Sequence, residues 1–310
     1  MSLQITPQTI RDLRVAINMG LTKGRGMARP FWPRFAAKVS ANTKHVSLPL
    51  HAATAKLRRW DGERKVVGGK AYDYRVTPDR FELTLGIPVE EIEDDNIGAW
   101  QHTIQDMGVQ IELWPDDLVA AVLLAGESGL GFDGLAFFAN THSLKSGTTI
   151  DNLFTSTSLT KANVAAVIAE MKGWVGEDGR PLRVEPNKLV VPPSLEDTAR
   201  DILESPLINT VYGSNTAAAA GSNTMRGRLE LEVLPELGAD AGGSDTDWYV
   251  KDCTKPTKPY VFVERVPPTI TNKNSSNDDN VFNDDELRVG VRARGAAGYG
   301  PFWLAAKCKA

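Results

Sequence analysis

Cysteine is nearly absent. Cys253 and Cys308 are the only two in 310 residues, and neither sits in a CxxC pair. That removes the usual zinc and thioredoxin-type readings. So few thiols in so long a chain fit a reducing compartment, where a disulfide between the two is not expected. Long apolar runs are absent too. The longest, Leu118 to Ala125, falls far short of the roughly 18 residues that span a bilayer. Met1 to Pro7 lacks a basic region followed by an apolar stretch, so no secretory signal is expected. The chain is expected to be made in the cytoplasm and to have no membrane partner. Neither sign of charge dominates. The net charge of −4 is too mild for a chain whose whole surface coats nucleic acid. With 42% hydrophobic and 24% charged residues, the composition is that of an ordinary folded protein.

Catalytic signatures are missing as well. Gly129-Leu130-Gly131-Phe132-Asp133-Gly134 spells GxGxxG. A dinucleotide site needs a strand before that motif and a helix after it, and here a helical pattern precedes and a Phe-rich loop follows. Gly68-Gly69-Lys70-Ala71 lacks the hydroxyl that a P-loop places on magnesium. Gly126-Glu127-Ser128-Gly129-Leu130 fails the nucleophile elbow at its last position. His45, His51, His102 and His142 are scattered without HExxH, and read as surface or hydrogen-bonding residues. The Asn/Asp-rich loop near Asp278 does not keep EF-hand spacing and reads as a solvated turn. No nucleophile meets a base and no metal-ligand set assembles. The chain is read as not an enzyme, with no cofactor and no metal.

What is present is a series of well-marked elements. Thr6 and Pro7 suit the start of a helix, Ile10, Leu13 and Ile17 continue it, and Gly20 suits its exit. Two readings stand for that helix: docked on its own domain, or an arm that docks on a neighbour. Residues 50–80 carry Lys56, Arg58, Arg59, Arg64, Lys65, Lys70 and Arg75, with turn signals at Trp60-Asp61-Gly62 and Val67-Gly68-Gly69. This reads as a long basic β-hairpin, which has little apolar surface of its own to bury. Phe81, Leu83, Leu85 and Ile87 alternate as in a half-buried strand. Glu90, Glu91, Glu93, Asp94 and Asp95 then precede a helical pattern from Ile97 to Ala125, about 40 Å long if continuous. Pro115 either kinks it or starts a second helix. Thr160 caps a further helix, Lys188 to Val191 is a buried-type strand, and Ser194 opens another helix. Gly213 to Thr224 reads as a mobile loop. Strands follow at 229–233, 248–250, 260–266 and 287–293. The class is α+β.

Taken together, these segments resemble a known family. Leu57-Arg58-Arg59-Trp60-Asp61-Gly62-Glu63-Arg64 precedes Arg80-Phe81-Glu82-Leu83-Thr84-Leu85-Gly86-Ile87. Val89-Glu90-Glu91-Ile92-Glu93-Asp94-Asp95-Asn96-Ile97-Gly98, Phe137-Phe138-Ala139-Asn140-Thr141-His142 and Lys188-Leu189-Val190-Val191-Pro192-Pro193 follow. In this order they look like the major head subunits of Mu-like phages and prophages. The likeness is most specific from Trp60 to His142 and rests more on element order after about Ala217. It implies the Hong Kong 97 type of capsid fold, with an N-terminal arm at 1–49 and an extended β-hairpin loop at 50–80. A peripheral domain with a long spine helix would cover 81–154 and 256–310, and an axial domain 155–255.

The function implied is an icosahedral shell around a DNA genome. The partners implied are copies of the chain in pentamers and hexamers, scaffolding and portal proteins, and the packaged DNA. The location implied is the virion. An encapsulin-like nanocompartment shell is the alternative, and a hydrolase with dispersed residues a weaker one. If the chain assembles, the basic hairpin and the acidic segment are opposite charges that each need a partner. The candidate interface residues are therefore Arg58, Arg59, Trp60, Arg64 and Lys65 against Glu90, Glu91, Glu93 and Asp94.

Overall fold

The computed structural model describes residues 7–50, 72–93, 97–144, 149–177, 179–211, 218–273 and 283–310. The chain opens with helix α1 (Pro7–Met27), a single helical turn α2 (Trp32–Phe35), strands β1 (Ala36–Ser40), β2 (Val46–Leu50), β3 (Tyr72–Val76) and β4 (Asp79–Pro88), the short helix α3 (Val89–Glu93) and the long helix α4 (Ile97–Leu124).

α1 does not stop at Gly20 but runs on through Gly24 and Gly26. Gly24 serves close approach rather than helix exit. A Cβ on it would lie 2.0 Å from the Gln105 carbonyl of α4, and one on Gly108 would lie 2.4 Å from the Leu21 carbonyl. Without side chains at these points the two backbones touch. Ile17 and Leu21 bury against Ile104, Met107 and Ile111 of α4, and with Ile87 and Val289 form a compact core of their own. Arg25 and Glu112 close the flank at 3.0 Å. Burying such side chains yields about 1.5–3 kcal/mol each. That outweighs the roughly 1 kcal/mol that a glycine costs inside a helix.

α4 is one helix of 28 residues that passes through Pro115 without a break. At 1.5 Å per residue it spans about 42 Å. The proline removes one backbone hydrogen bond, but both sides of it are anchored. Trp114 packs its ring at 5.3 Å from Phe81 and 5.6 Å from Phe262. Val119, Ala120 and Leu123 are buried beyond it. Asp116 reaches the start of α2, where its carboxylate accepts from the Phe31 and Trp32 N–H groups at 3.0 and 2.7 Å.

The rest of the chain supplies β5 (His142–Ser143), β6 (Thr149–Ile150), β7 (Leu153–Phe154), α5 (Lys161–Gly173), β8 (Lys188–Val191), α6 (Glu196–Leu203), β9 (Leu207–Val211), β10 (Ala218–Ser222), β11 (Glu230–Val233), β12 (Trp248–Lys251), β13 (Tyr260–Lys273), β14 (Glu286–Tyr299) and β15 (Ala305–Cys308). Thr160 caps α5 as its sequence indicates, accepting from Asn163 N–H at 3.2 Å. Residues 218–222 read as part of a mobile loop, but their backbone pairs antiparallel with β9. A ladder of main-chain hydrogen bonds needs no large side chains. Residues 213–217 of that segment lie outside the described ones.

Two larger sheets organise the molecule. One has the order β1-β13-β14-β4, the other β11-β8-β12-β15-β7. β1 runs parallel to β13, pairing Ala36 with Tyr260, while β13, β14 and β4 are antiparallel. The division expected at 154/155 and 255/256 runs across the second sheet. β7 and β15 fall on one side of it, β8, β11 and β12 on the other, and all five are hydrogen bonded.

The two sheets meet around Lys251, which is fully buried at the end of β12. Its Nζ lies 4.5, 4.8 and 5.5 Å from the ring centres of Phe35, Tyr260 and Tyr249, and has no hydrogen-bond partner. Burial pushes its pKa down to about 7. Its cross-strand neighbour Lys188 behaves oppositely. Desolvation works against the charge there, but Glu230 and Glu232, each at 2.8 Å, outweigh it and the net shift is upward. Arg34 of α2 also pairs with Glu232.

Candidate subunit interface

The two strands that flank the expected basic hairpin are held tightly. β2 and β3 pair antiparallel from Val46–Val76 to Leu50–Tyr72. Leu48 and Val76 are buried, and Tyr74 Oη accepts from Tyr299 N–H of β14 at 3.2 Å. Gly298 makes this contact possible, because a Cβ there would meet Val76 at 2.7 Å and Tyr74 at 3.3 Å. Burial raises the Tyr74 pKa, the Tyr299 hydrogen bond opposing it. His45 Nδ1 and Thr77 Oγ1, 2.9 Å apart, tie the two strands where they join the body. The strand pair that flanks residues 51–71 is thus fixed on the body. Arg58, Arg59, Trp60, Arg64 and Lys65 lie in the segment 51–71, outside the described residues.

The acidic side is partly described. Glu90, Glu91 and Glu93 fall in α3, directly after β4, while Asp94 lies outside the described residues. Glu90 is exposed. Another acidic segment, distant along the chain, joins them. Antiparallel pairing sets Glu286 opposite Pro88, and Val89 N–H donates to Asp285 O at 2.9 Å. Asp284, Asp285 and Glu286 therefore stand beside α3, with Arg288 bridging Asp284 at 2.7 Å and Glu286 at 3.5 Å. Only the register of β4 on β14 reveals this grouping, and no local pattern signals it.

β4 connects the two features. It starts at Asp79, just after the hairpin root, and ends at Pro88, next to the acidic group. Ten residues of strand place these about 30 Å apart. β4 thus separates the strand pair that flanks residues 51–71 from the acidic group.

The glycine motifs that follow α4 fold into structural roles. A Cβ on Gly126 would strike the Phe138 ring at 2.4 Å, and one on Gly129 would lie 2.1 Å from Tyr299 Oη. These glycines let a turn pack on the core. Asp133 holds the buried His142 at 2.6 Å, and the imidazole stacks on Phe302 at 3.8 Å. Among the described residues no group of three or more His, Cys, Asp or Glu is arranged to hold a metal ion, and no helix is long and apolar enough to cross a membrane.

The chain matches the family model of the Mu-like prophage major head subunit gpT over residues 10–158, 152–237 and 236–310. It is 24% identical over 299 residues to the major capsid protein of Escherichia phage Mu, a match covering 96% of this chain and 72% of that one. Among solved structures, the procapsid of bacteriophage JBD30 superposes with a TM-score of 0.59 at 25% identity, covering 98% of this chain and 75% of that chain. The holo-SrpI encapsulin of Synechococcus elongatus shares the fold at a TM-score of 0.52 and 10% identity, covering 91% of this chain and 88% of that one.

Proposed function

The chain belongs to the Mu-like prophage major head subunit family, and from that premise we propose how its copies join. It is a head subunit of the Hong Kong 97 type, a structural component of the virion whose copies assemble into the shell. The basic hairpin of one subunit lies across its neighbour and meets the acidic group at the far end of that neighbour's β4. The observation that carries this is the separation of root and acidic group along one strand, about 30 Å from Asp79 to Pro88. Burial of apolar area drives assembly, and charge complementarity sets its register.

Within this reading 1–49 is the arm and 50–80 the extended loop. α4 is the spine of a peripheral domain over 81–154 and 256–310, and 155–255 is the axial domain. Rings of five and six subunits close the shell around packaged DNA. Scaffolding and portal proteins assist, and synthesis is in the host cytoplasm.

Negative-stain electron microscopy with light-scattering mass tests it. Closed shells, or rings of five or six, support the reading. A protein that stays monomeric even when co-expressed with its scaffold sinks it. The nanocompartment alternative draws only on the shared fold with the encapsulin, and the contents of purified shells separate the two: nucleic acid for a head, protein cargo for a compartment. The hydrolase alternative calls for displaced ionisable groups in a deep cleft. Lys251 and Tyr260, whose pKa values are strongly displaced, are wholly buried instead.

A further inference from the structure

β14 has two faces. Val289, Val291 and Ala293 are buried on the side that α4 covers. Gly290, Arg292 and Arg294 alternate with them and turn the other way. Antiparallel pairing sets Arg294 directly opposite Arg80 of β4, and Arg292 opposite Glu82. On the other flank their partners in β13 are Val266 and Thr269. Side chains paired in this way share a face, so the three arginines are attached within about 8 Å of one another.

Three guanidinium groups thus meet a single carboxylate. Glu82 accepts from Thr84 Oγ1 at 2.8 Å and pairs with none of them. Among the described residues Arg80, Arg292 and Arg294 have neither an ion-pair partner nor a hydrogen-bond acceptor for their side chains. Arg288, further along the same face, is by contrast held by Asp284 and Glu286. Arg80 and Arg292 are exposed, while Arg294 is half-buried and its Nε, shielded from solvent, donates to nothing. Like charges placed directly opposite on a sheet repel, and a shielded donor without an acceptor destabilises further. No described group offsets either. Beside the arginines the face is open and polar, with Thr84, Gly290 and Thr271 in one row across the sheet.

We propose that Arg80, Arg292 and Arg294 form a site for one compact, polyvalent oxyanion of the phosphate class. A guanidinium presents its N–H groups as a planar fork that matches such oxygens in pairs. Three guanidinium groups against one carboxylate leave two positive charges, which a single phosphate at neutral pH nearly balances. A lone carboxylate would leave one of them standing. A duplex backbone would call for a longer line of free cations, and Arg288, the next in line, is already held by two carboxylates. The bound anion screens Arg80 from Arg294 and gives the half-buried guanidinium its counter-charge. The site lies within one subunit and is independent of how copies join.

The test titrates inorganic phosphate into the purified chain, with sodium chloride at matched ionic strength as the reference, and follows thermal unfolding. The expected result is a saturable rise in melting temperature that chloride does not give. Phosphate also stabilises proteins in general through exclusion from their surface, but that effect does not saturate and any variant shares it. Arg80→Gln separates the two. Without phosphate it should melt above wild type, because a repulsion is gone. It should also bind phosphate about tenfold more weakly, so its advantage disappears as phosphate rises. Arg226→Gln, a change at an exposed arginine between β10 and β11, should bind as wild type does. Equal responses to phosphate from wild type and Arg80→Gln overturn the proposal. So does an Arg80→Gln variant that melts below wild type in chloride, since Arg80 would then be held within the fold. A short DNA duplex or polyglutamate that binds through these arginines where phosphate does not also overturns it, and assigns the face to an extended polyanion.

Discussion

Gly24 of α1 sits so close to Gln105 of α4 that a Cβ on it would lie 2.0 Å from the Gln105 carbonyl oxygen. The oxygen belongs to the backbone of a long packed helix and has nowhere to move. Gly24→Ala should therefore destabilise the subunit by about 1–3 kcal/mol, the usual cost of forcing extra atoms into a packed contact. Gly26, two residues on, would place its Cβ in open space. There Ala should stabilise by about 0.5 kcal/mol through helix propensity alone. Urea denaturation of both variants decides the matter. Equal effects would mean the helices are not in backbone contact.

Lys251 gives a pH prediction. Its folded pKa is about 7 because burial disfavours the charged form, while an unfolded lysine titrates near ~10.4. Between those values the unfolded chain binds more protons than the folded one, so this group makes stability rise with pH from about 7 to about 10. Below pH 7 its penalty is complete. Lys251→Met fills a similar volume without the charge and should be more stable than wild type by about 1–4 kcal/mol near neutral pH. The advantage should shrink as pH approaches 10. A constant difference between the two proteins from pH 7 to pH 10 would contradict this account.

Asp116 ties α4 to the start of α2 through two backbone N–H groups. Asp116→Ala leaves both donors without partners in a buried site and should cost about 1–3 kcal/mol. Asp116→Asn keeps one acceptor and should cost roughly half as much. Thermal melts of the isolated subunit read out both. Loss of assembly without loss of stability would instead place Asp116 in an interface.

The proposed hairpin contact is tested by reversing Arg58 and Arg59 to Glu. The subunit should keep its circular dichroism and melting behaviour, because these residues lie beyond the root, but shells should not form. Wild-type assembly should weaken as salt rises, since exposed charge pairs are screened over about 10 Å at 0.1 M. Normal shells from the double reversal would remove this contact from the mechanism.

Much of the secondary structure was legible because it is written in local patterns. Phe81, Leu83, Leu85 and Ile87 alternate and form β4, and Thr160 with its apolar positions Val164, Val167, Ile168 and Met171 forms a capped, buried helix. What escaped depends on partners distant in sequence. Gly20 reads as a helix exit because nothing nearby shows that α4 will lie against it. The strand 218–222 reads as a loop because alanine and glycine carry no alternation. β15 is buried along its whole length, Lys307 included, so no apolar–polar alternation marks its phase. The acidic character of Glu90 and Glu91 is plain in the sequence, while Asp284 and Asp285 come beside them only through the pairing of β14 with β4. Pro115 was ambiguous because sequence shows the lost hydrogen bond but not the packing of Trp114 that compensates for it.

The weaving of the two sheets has a consequence for the order of events during synthesis. β1 is among the earliest strands made, yet its parallel partner β13 begins at Tyr260. β15 enters the interior of the second sheet only after the chain has gone back through β13 and β14 of the first. Neither sheet closes on a partial chain, and contacts between such distant residues form slowly. Through that interval β12 waits with one edge unpaired, a template for any other strand. The subunit is therefore most exposed to misassociation before it is finished. The pairing of β15 with β12 is the step after which copies can meet without that hazard.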